Sequence, residues 1–330
     1  MGQRMLCWKT LGVGALIIML SATAALAAQP LKTLIPHRVF FDTALPDYVA
    51  EERGLFREAG LVVQPVWARG GGENIQIVLA GNADIAWSTG FHSVIGAVGK
   101  GAPLAIVSAE ITGLPDVFWY ARTDSPIRGL RDLAGKKLTF SRPGASTHMA
   151  VLAAADMLKA QGLEPPSLIG IGGPPEAFTT VMTGQVDAGW SVPPFFLKEV
   201  EEGKIRIVLR GSELKALEAL TIRVNFTTRK LLQERPDDIR KLLRLRKEAL
   251  DWIHTHKEAA ADIWSKRANL KEPRPVLLKA WDFYPREALR MFPPKGVEQN
   301  LADALKFKFI ARPLTPEQVR QMIAKEFAPE

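Results

Sequence analysis

An eight-residue motif that occurs twice, with four of its positions identical, constrains this chain more than anything else in it. GNADIAWS at 81–88 returns as GQVDAGWS at 184–191, with glycine, aspartate, tryptophan and serine in register. The match continues upstream at the same offset, Gly70 opposite Gly173 and Val78 opposite Val181, inside a glycine-rich turn that leads to a helix. A glycine turn, helix, strand and Trp-Ser edge met in the same order at two places predicts two related α/β lobes. The length of 330 residues agrees, because single hydrophobic cores stop growing at roughly 250–300 residues. With 47% apolar residues the chain can fill two.

From 33 to 231, short β-branched or apolar runs alternate with longer amphipathic stretches, the pattern of layered α/β structure around a largely parallel sheet. Strands are expected at 34–41, 61–67, 83–87, 104–108, 137–141, 168–171, 186–190 and 205–209, with helices between them. Beyond 231 the pattern is mainly helical, with Trp252, Trp264 and Trp281 as core anchors. In each copy of the repeat the strand runs toward Trp-Ser, so Trp87-Ser88-Thr89 and Trp190-Ser191 fall at strand carboxyl ends, where open α/β sheets bind ligands. Facing lobes would bring both edges to one cleft, its rings serving as apolar walls and its hydroxyls and helix starts as donors.

The amino terminus has the order of a secretory signal: Arg4 and Lys9, an uncharged apolar run over 11–20, then small residues ending at Ala25 and Ala27. The run is shorter than the ~20 residues a spanning helix needs, so cleavage after 27 and a periplasmic mature chain are expected. The single cysteine, Cys7, leaves with that leader, which removes disulfides, thiolate nucleophiles and cysteine metal sites from the mature chain. Formal charge falls from +8 to +6 with the loss of Arg4 and Lys9. The densest basic run, 240–247, follows Pro236-Asp237-Asp238 and reads as the solvated face of a helix, not as a nucleic-acid site.

Two loops have the character of anion sites. Arg69-Gly70-Gly71-Gly72-Glu73-Asn74 and the stretch from Ser141 and Arg142 through Gly144 to Ser146 and His148 each set small residues, free backbone N–H groups and an arginine at a helix start. Taken singly, each also reads as an ordinary capped turn. An enzyme is the main competing class, because Ala86-Trp87-Ser88-Thr89-Gly90 approximates the nucleophile elbow of α/β-hydrolases with alanine at the first glycine. The matching Ser191 assigns the serine to a duplicated edge instead, and spacing offers Ser88 no histidine partner. His254 and His256 are two apart and leave a helix on different sides, while His37, His92 and His148 are isolated, so no metal site is expected. Nothing in the sequence asks for a cofactor.

DYVAEERGLFREAGLVV at 47–63, then GGGENIQIVLAGNADIAW at 70–87 and the GQVDAGW echo, resembles the extracytoplasmic substrate-binding proteins of ABC importers. More narrowly, it is similar to the branch serving nitrate, sulfonate, taurine and thiamine-pyrimidine precursors, over about 34–264. The resemblance implies an α/β bilobed periplasmic-binding-protein fold of type II, with a ligand cleft closed by a hinge. The chain would cross near 121–125 and 212–222, so that 28–121 and 222–330 form one lobe and 122–221 the other. Ligand contacts would fall at Phe41, Asp42, Gly71, Gly72, Ser88, Thr89, Ser141 to Ser146, Trp190 and Asn225. The pyrimidine-precursor synthases of the wider superfamily depend on a cysteine-rich metal motif, from which a cysteine-free mature chain departs. The expectation is a monomeric receptor that captures a small organic anion and delivers it to a membrane permease. Arg142 or Arg69 would hold the charge, and Trp87, Trp190 and Phe41 the apolar body. An exported hydrolase using Ser88, or a ligand sensor with a membrane signalling partner, are the alternatives.

Overall fold

The structure, a computed structural model, describes residues 29–68 and 73–329. The expected leader, with Cys7, and the loop residues Arg69, Gly71 and Gly72 lie outside the described residues. The strands are β1 (Leu31–Ile35), β2 (Val63–Trp67), β3 (Ile85–Gly90), β4 (Leu104–Thr112), β5 (Phe118–Arg122), β6 (Lys137–Phe140), β7 (Ser167–Gly170), β8 (Gly189–Ser191), β9 (Ile205–Arg210) and β10 (Thr221–Thr228). Between them run α1 (Ala44–Glu52), α2 (Leu55–Glu58), α3 (Asn74–Leu79), α4 (Phe91–Gly99), α5 (Ser146–Ala160), α6 (Pro174–Met182) and α7 (Leu197–Glu201). The helical region opens with α8 (Arg229–Glu234), α9 (Pro236–Thr255) and α10 (Lys257–Ala268).

One sheet has the order β2-β1-β3-β10-β4 and a second the order β8-β5-β9, while β6 and β7 pair separately. A parallel bridge between Leu138 and Ala188 links that pair to the second sheet. β1 runs parallel to β2 and β3, but β10 is antiparallel to both its neighbours and so is β5. The first sheet is therefore mixed and the second antiparallel, which corrects the expectation of a largely parallel one. The reason is connectivity: the chain leaves the first sheet after β4, enters the second through β5, and comes back from β9 through β10, inserted between β3 and β4.

The repeated motif has a shared local cause. Gly81 and Gly184 take φ values of 72° and 73°, a left-handed turn that suits glycine and ends the preceding helix. Three residues later the aspartate folds back on a neighbouring strand. Asp84 Oδ2 accepts from the Lys32 N–H at 2.8 Å, and Asp187 Oδ2 from the Lys137 N–H at 2.8 Å. One sequence pattern thus docks β3 on β1 and β8 beside β6.

α9 begins as its sequence predicts, with Pro236 in the first turn and Asp237 and Asp238 at the positive end. Its apolar positions, Ile239, Leu242, Leu243, Leu250 and Ile253, are buried in the core shared with α1 and α10. Arg246, expected on the solvated face, is instead fully buried in that core, which corrects the reading of the basic run at this position. Trp264 and Trp281 are buried with it, whereas Trp252 lies at the edge, stacked on His256. The C-terminal segment returns to the first sheet, where Ala324 N–H donates to the Ile106 carbonyl at 2.9 Å. No helix among the described residues is long and apolar enough to cross a membrane.

Candidate ligand-binding cleft

A cleft of about 550 Å3 opens between the two halves, within the roughly 300–1,000 Å3 of small-molecule sites. The first half contributes His37, Phe40 and Ser88, and the second Ser141, Arg142, Ser146 and Trp190. Two helices start at its edge: α4 follows Gly90, and α5 begins at Ser146. The first N–H groups of a helix have no intrahelical partner and carry partial positive charge, so both starts favour an acceptor or an anion.

The halves touch where these helices begin. A Cβ on Gly90 would lie 2.7 Å from the Gly144 carbonyl oxygen, and one on Gly144, at φ +83°, 2.9 Å from Ser93 Oγ. Only glycine lets the two backbones approach this closely. At the mouth, Arg142 Nη1 meets Glu73 Oε1 across the gap at 3.5 Å, both side chains about half exposed. Ser141 Oγ lies 2.7 Å from Thr147 Oγ1, and Trp190 Nε1 donates to the Gly172 carbonyl at 3.1 Å. Those two bonds fix the loop wall and turn the Trp190 ring to the cleft.

The floor is a buried polar network. Ser88, at a positive φ of 52°, donates from Oγ to Asp42 Oδ2 at 2.5 Å, and Asn225 Oδ1 accepts from its N–H at 3.0 Å. Arg223 reaches the same point, donating from Nη1 to Asp42 Oδ2 at 3.1 Å and from Nη2 to Asp116. Burial opposes the charge on Arg223, but Asp116 and Asp42 outweigh it and hold the guanidinium protonated. Burial pushes the Asp116 carboxyl up, against the pull of Arg223. Behind them Asn225 Nδ2 donates to Glu110 Oε2 at 2.6 Å, and Arg246 spans Glu110 and Asp47 at 2.9 and 2.6 Å. Burial raises both of those carboxyls, with Arg246 opposing it.

The residues expected at the site therefore divide. Ser88, Ser141, Arg142, Ser146 and Trp190 line the cleft, and Gly144 forms its pinch point. Asp42 and Asn225 are buried behind Ser88 and hold it, while Thr89 accepts from Asn74 Nδ2 at 2.7 Å beneath α3. Phe41 and Trp87 are not on the wall, which corrects their assignment as ligand-facing rings. Phe41 stacks on Tyr284 at 4.5 Å in the helical core. Trp87 is fully buried, donates from Nε1 to Asp47 at 3.1 Å, and carries the Arg246 guanidinium on its face at 4.3 Å. Sequence reasoning missed Arg223, Phe40 and Glu176, all on the cleft. The signal for Arg223 was present: an arginine inside the β-branched run TIRVNFTT needs a buried partner or an opening.

The profile of the family described as NMT1/THI5 like matches residues 43–260. Putative binding protein YtlA of Bacillus subtilis (strain 168) is 29% identical over 150 residues, 43% of this chain and 44% of that protein, so the chain matches less than half of the relative's length. Among solved structures, the chain is similar to the periplasmic aliphatic sulphonate binding protein SsuA from Escherichia coli, at 21% identity and TM-score 0.71, over 89% of this chain and 91% of that one. It is also similar to the periplasmic nitrate-binding protein NrtA from Synechocystis PCC 6803, at 17% identity and TM-score 0.70, over 91% and 87%. These likenesses give the bilobed α/β periplasmic-binding-protein fold that the sequence motifs implied. With the profile matched over more than half of its length, the chain belongs to the NMT1/THI5-like family.

Proposed function

We propose that this protein is an extracytoplasmic receptor that closes on a small organic molecule bearing an anionic head and an apolar body, and delivers it to an ABC permease. The observation that carries the reading is that one cleft is lined by two helix starts, by Arg142 at its mouth and Arg223 in its floor, and by the rings of Phe40 and Trp190. The solved relatives named for aliphatic sulphonate and for nitrate support an oxyanion head. Phe40 and Trp190 favour an organic body over nitrate itself. Periplasmic residence and removal of the leader after 27 belong to the same proposal, as does the division into a lobe of 28–121 with 222–330 and a lobe of 122–221. In that division β5 sits at the first boundary and pairs within the second sheet.

Binding without turnover is favoured because the Ser88 hydroxyl is engaged by Asp42 and Arg223, with no imidazole among its hydrogen bonds. Calorimetric titration of the mature protein with alkane- and arenesulfonates, carboxylates and nitrate tests the reading. Saturable binding of an organic oxyanion that is recovered unchanged is the expected result. Consumption of the ligand would instead revive hydrolysis, and no heat with any of these anions would refute the anion assignment.

A further inference from the structure

Resting on that reading, we infer that the cleft selects singly charged over doubly charged head groups, with Arg223, clamped between Asp42 and Asp116, as the residue that sets this preference. An oxyanion site with free cations would gain from a second negative charge. This cleft offers none among its described residues. Of the ionisable side chains that line it, Arg142 is paired with Glu73 and Arg223 with two carboxylates. Glu176 adds a fourth carboxylate at the start of α6. His37, the remaining one, is kept toward its neutral form by burial and by Arg38, against Glu176.

Two guanidiniums thus stand against Glu73, Asp42, Asp116 and Glu176. Even with a proton on Asp116, whose carboxyl is raised by burial, the balance is not positive. One negative charge can be held by N–H dipoles at the starts of α4 and α5 and by the directional donors of Arg223. A second has no uncompensated cation to meet among the described residues and faces Asp42, which already accepts from Ser88 and Arg223. Like charges brought together at a desolvated site cost enough to suppress a partner about tenfold or more.

The test uses methane-, butane- and benzenesulfonate, each with the phosphonate of the same organic body. Sulfonates carry one charge throughout, whereas phosphonates, like phosphate esters, lose a second proton near neutrality, so titrations at pH about 5 and about 8.5 compare both charge states. The Kd ratio of phosphonate to sulfonate should rise several-fold between those pH values, up to the limit set by the fraction of phosphonate still singly charged, the sulfonate cancelling titration of the protein itself. Glu176→Gln should narrow the high-pH ratio, and Asp116→Asn should narrow it further. Circular dichroism would establish that the second variant folds, and the exposed Glu176 position keeps the test available if it does not. A ratio that stays constant or falls with pH in a protein that binds sulfonate overturns the charge selection and leaves the receptor reading intact. Binding of no member of the three pairs overturns both.

Discussion

Acid should weaken this fold through His92. The imidazole sits in the first turn of α4, 1% exposed, with its centroid 5.5 Å from the ring of Phe309, against which His148 of the other half also packs at 5.5 Å. Burial pushes the His92 pKa down to about 4, the Asn300 backbone opposing it and His148 adding to it. In the unfolded chain the group titrates near 6.5. Between those values the unfolded state takes up a proton that the folded state refuses, so the stability present above pH 6.5 drains away as pH falls toward 4. The whole gap is worth on the order of 3 kcal/mol, of which about 2 kcal/mol is gone by pH 5. His92→Phe keeps an aromatic ring beside Phe309 and cannot titrate. Urea unfolding of both proteins at pH about 7.5 and about 5 should show the variant gaining about 2 kcal/mol on the parent as pH drops. His37 and His148, both also lowered chiefly by burial, titrate in each protein and cancel in the difference. A difference that does not change with pH, or an NMR titration placing folded His92 near 6.5, would refute the reasoning.

Three further perturbations read other parts of the structure. Arg246→Met leaves Asp47 and Glu110 buried without their cation, at about 3–5 kcal/mol of stability near neutral pH. Since burial already raises both carboxyls, they should protonate as pH falls, and the denaturant-measured penalty should shrink from pH about 8 to about 5. Gly90→Ala sets a Cβ 2.7 Å from the Gly144 carbonyl, so the two backbones must separate: ligand affinity should fall about tenfold or more, measured by calorimetry, and the melting temperature without ligand should fall as well. Arg142→Ala should weaken binding of an anionic ligand by about 1.5–3 kcal/mol if the guanidinium leaves Glu73 for the ligand, and unchanged affinity would remove it from the site.

Most of the architecture was legible because it rests on local pattern. Runs such as LAIVSAEIT specify a buried strand, and the Gly-x-x-Asp motif specifies a turn and a docking carboxylate, wherever they occur. β5 and β10 escaped notice for a different reason: FWYAR and TIRVNFTT lie at or beside the passages between the halves, where the fold-level expectation was of hinge, and their partners are distant in sequence. The loop from Ser141 to Ser146 was readable from its residue types. The floor was not, because Asp42, Asp116 and Arg223 come from three elements that only the tertiary fold brings together.

The two tryptophans of the repeat show where sequence reasoning has to stop. Trp87 and Trp190 stand in the same motif, three residues after aspartates that make the same backbone hydrogen bond. Their rings nevertheless do opposite work. In the first half α1 presents Asp47 as an acceptor and α9 presents Arg246 as a cation for the ring face, so Trp87 turns into the core. In the second half the acceptor is the Gly172 carbonyl of the loop before α6, and Trp190 is held at the cleft. The shared turn and aspartate thus fix the strand ends, while non-repeated neighbours decide which ring a ligand can meet. One half consequently supplies a rigid polar floor, running from Asp47 through Arg246, Glu110 and Asn225 to Ser88. The other supplies an aromatic wall whose Trp190 ring is hydrogen-bonded through Nε1 to a loop carbonyl and otherwise held by apolar packing. Differences in ligand body among related clefts should therefore track the loop at 170–175 more than the floor, since an apolar wall with few hydrogen bonds repacks at lower cost than a network of buried charges.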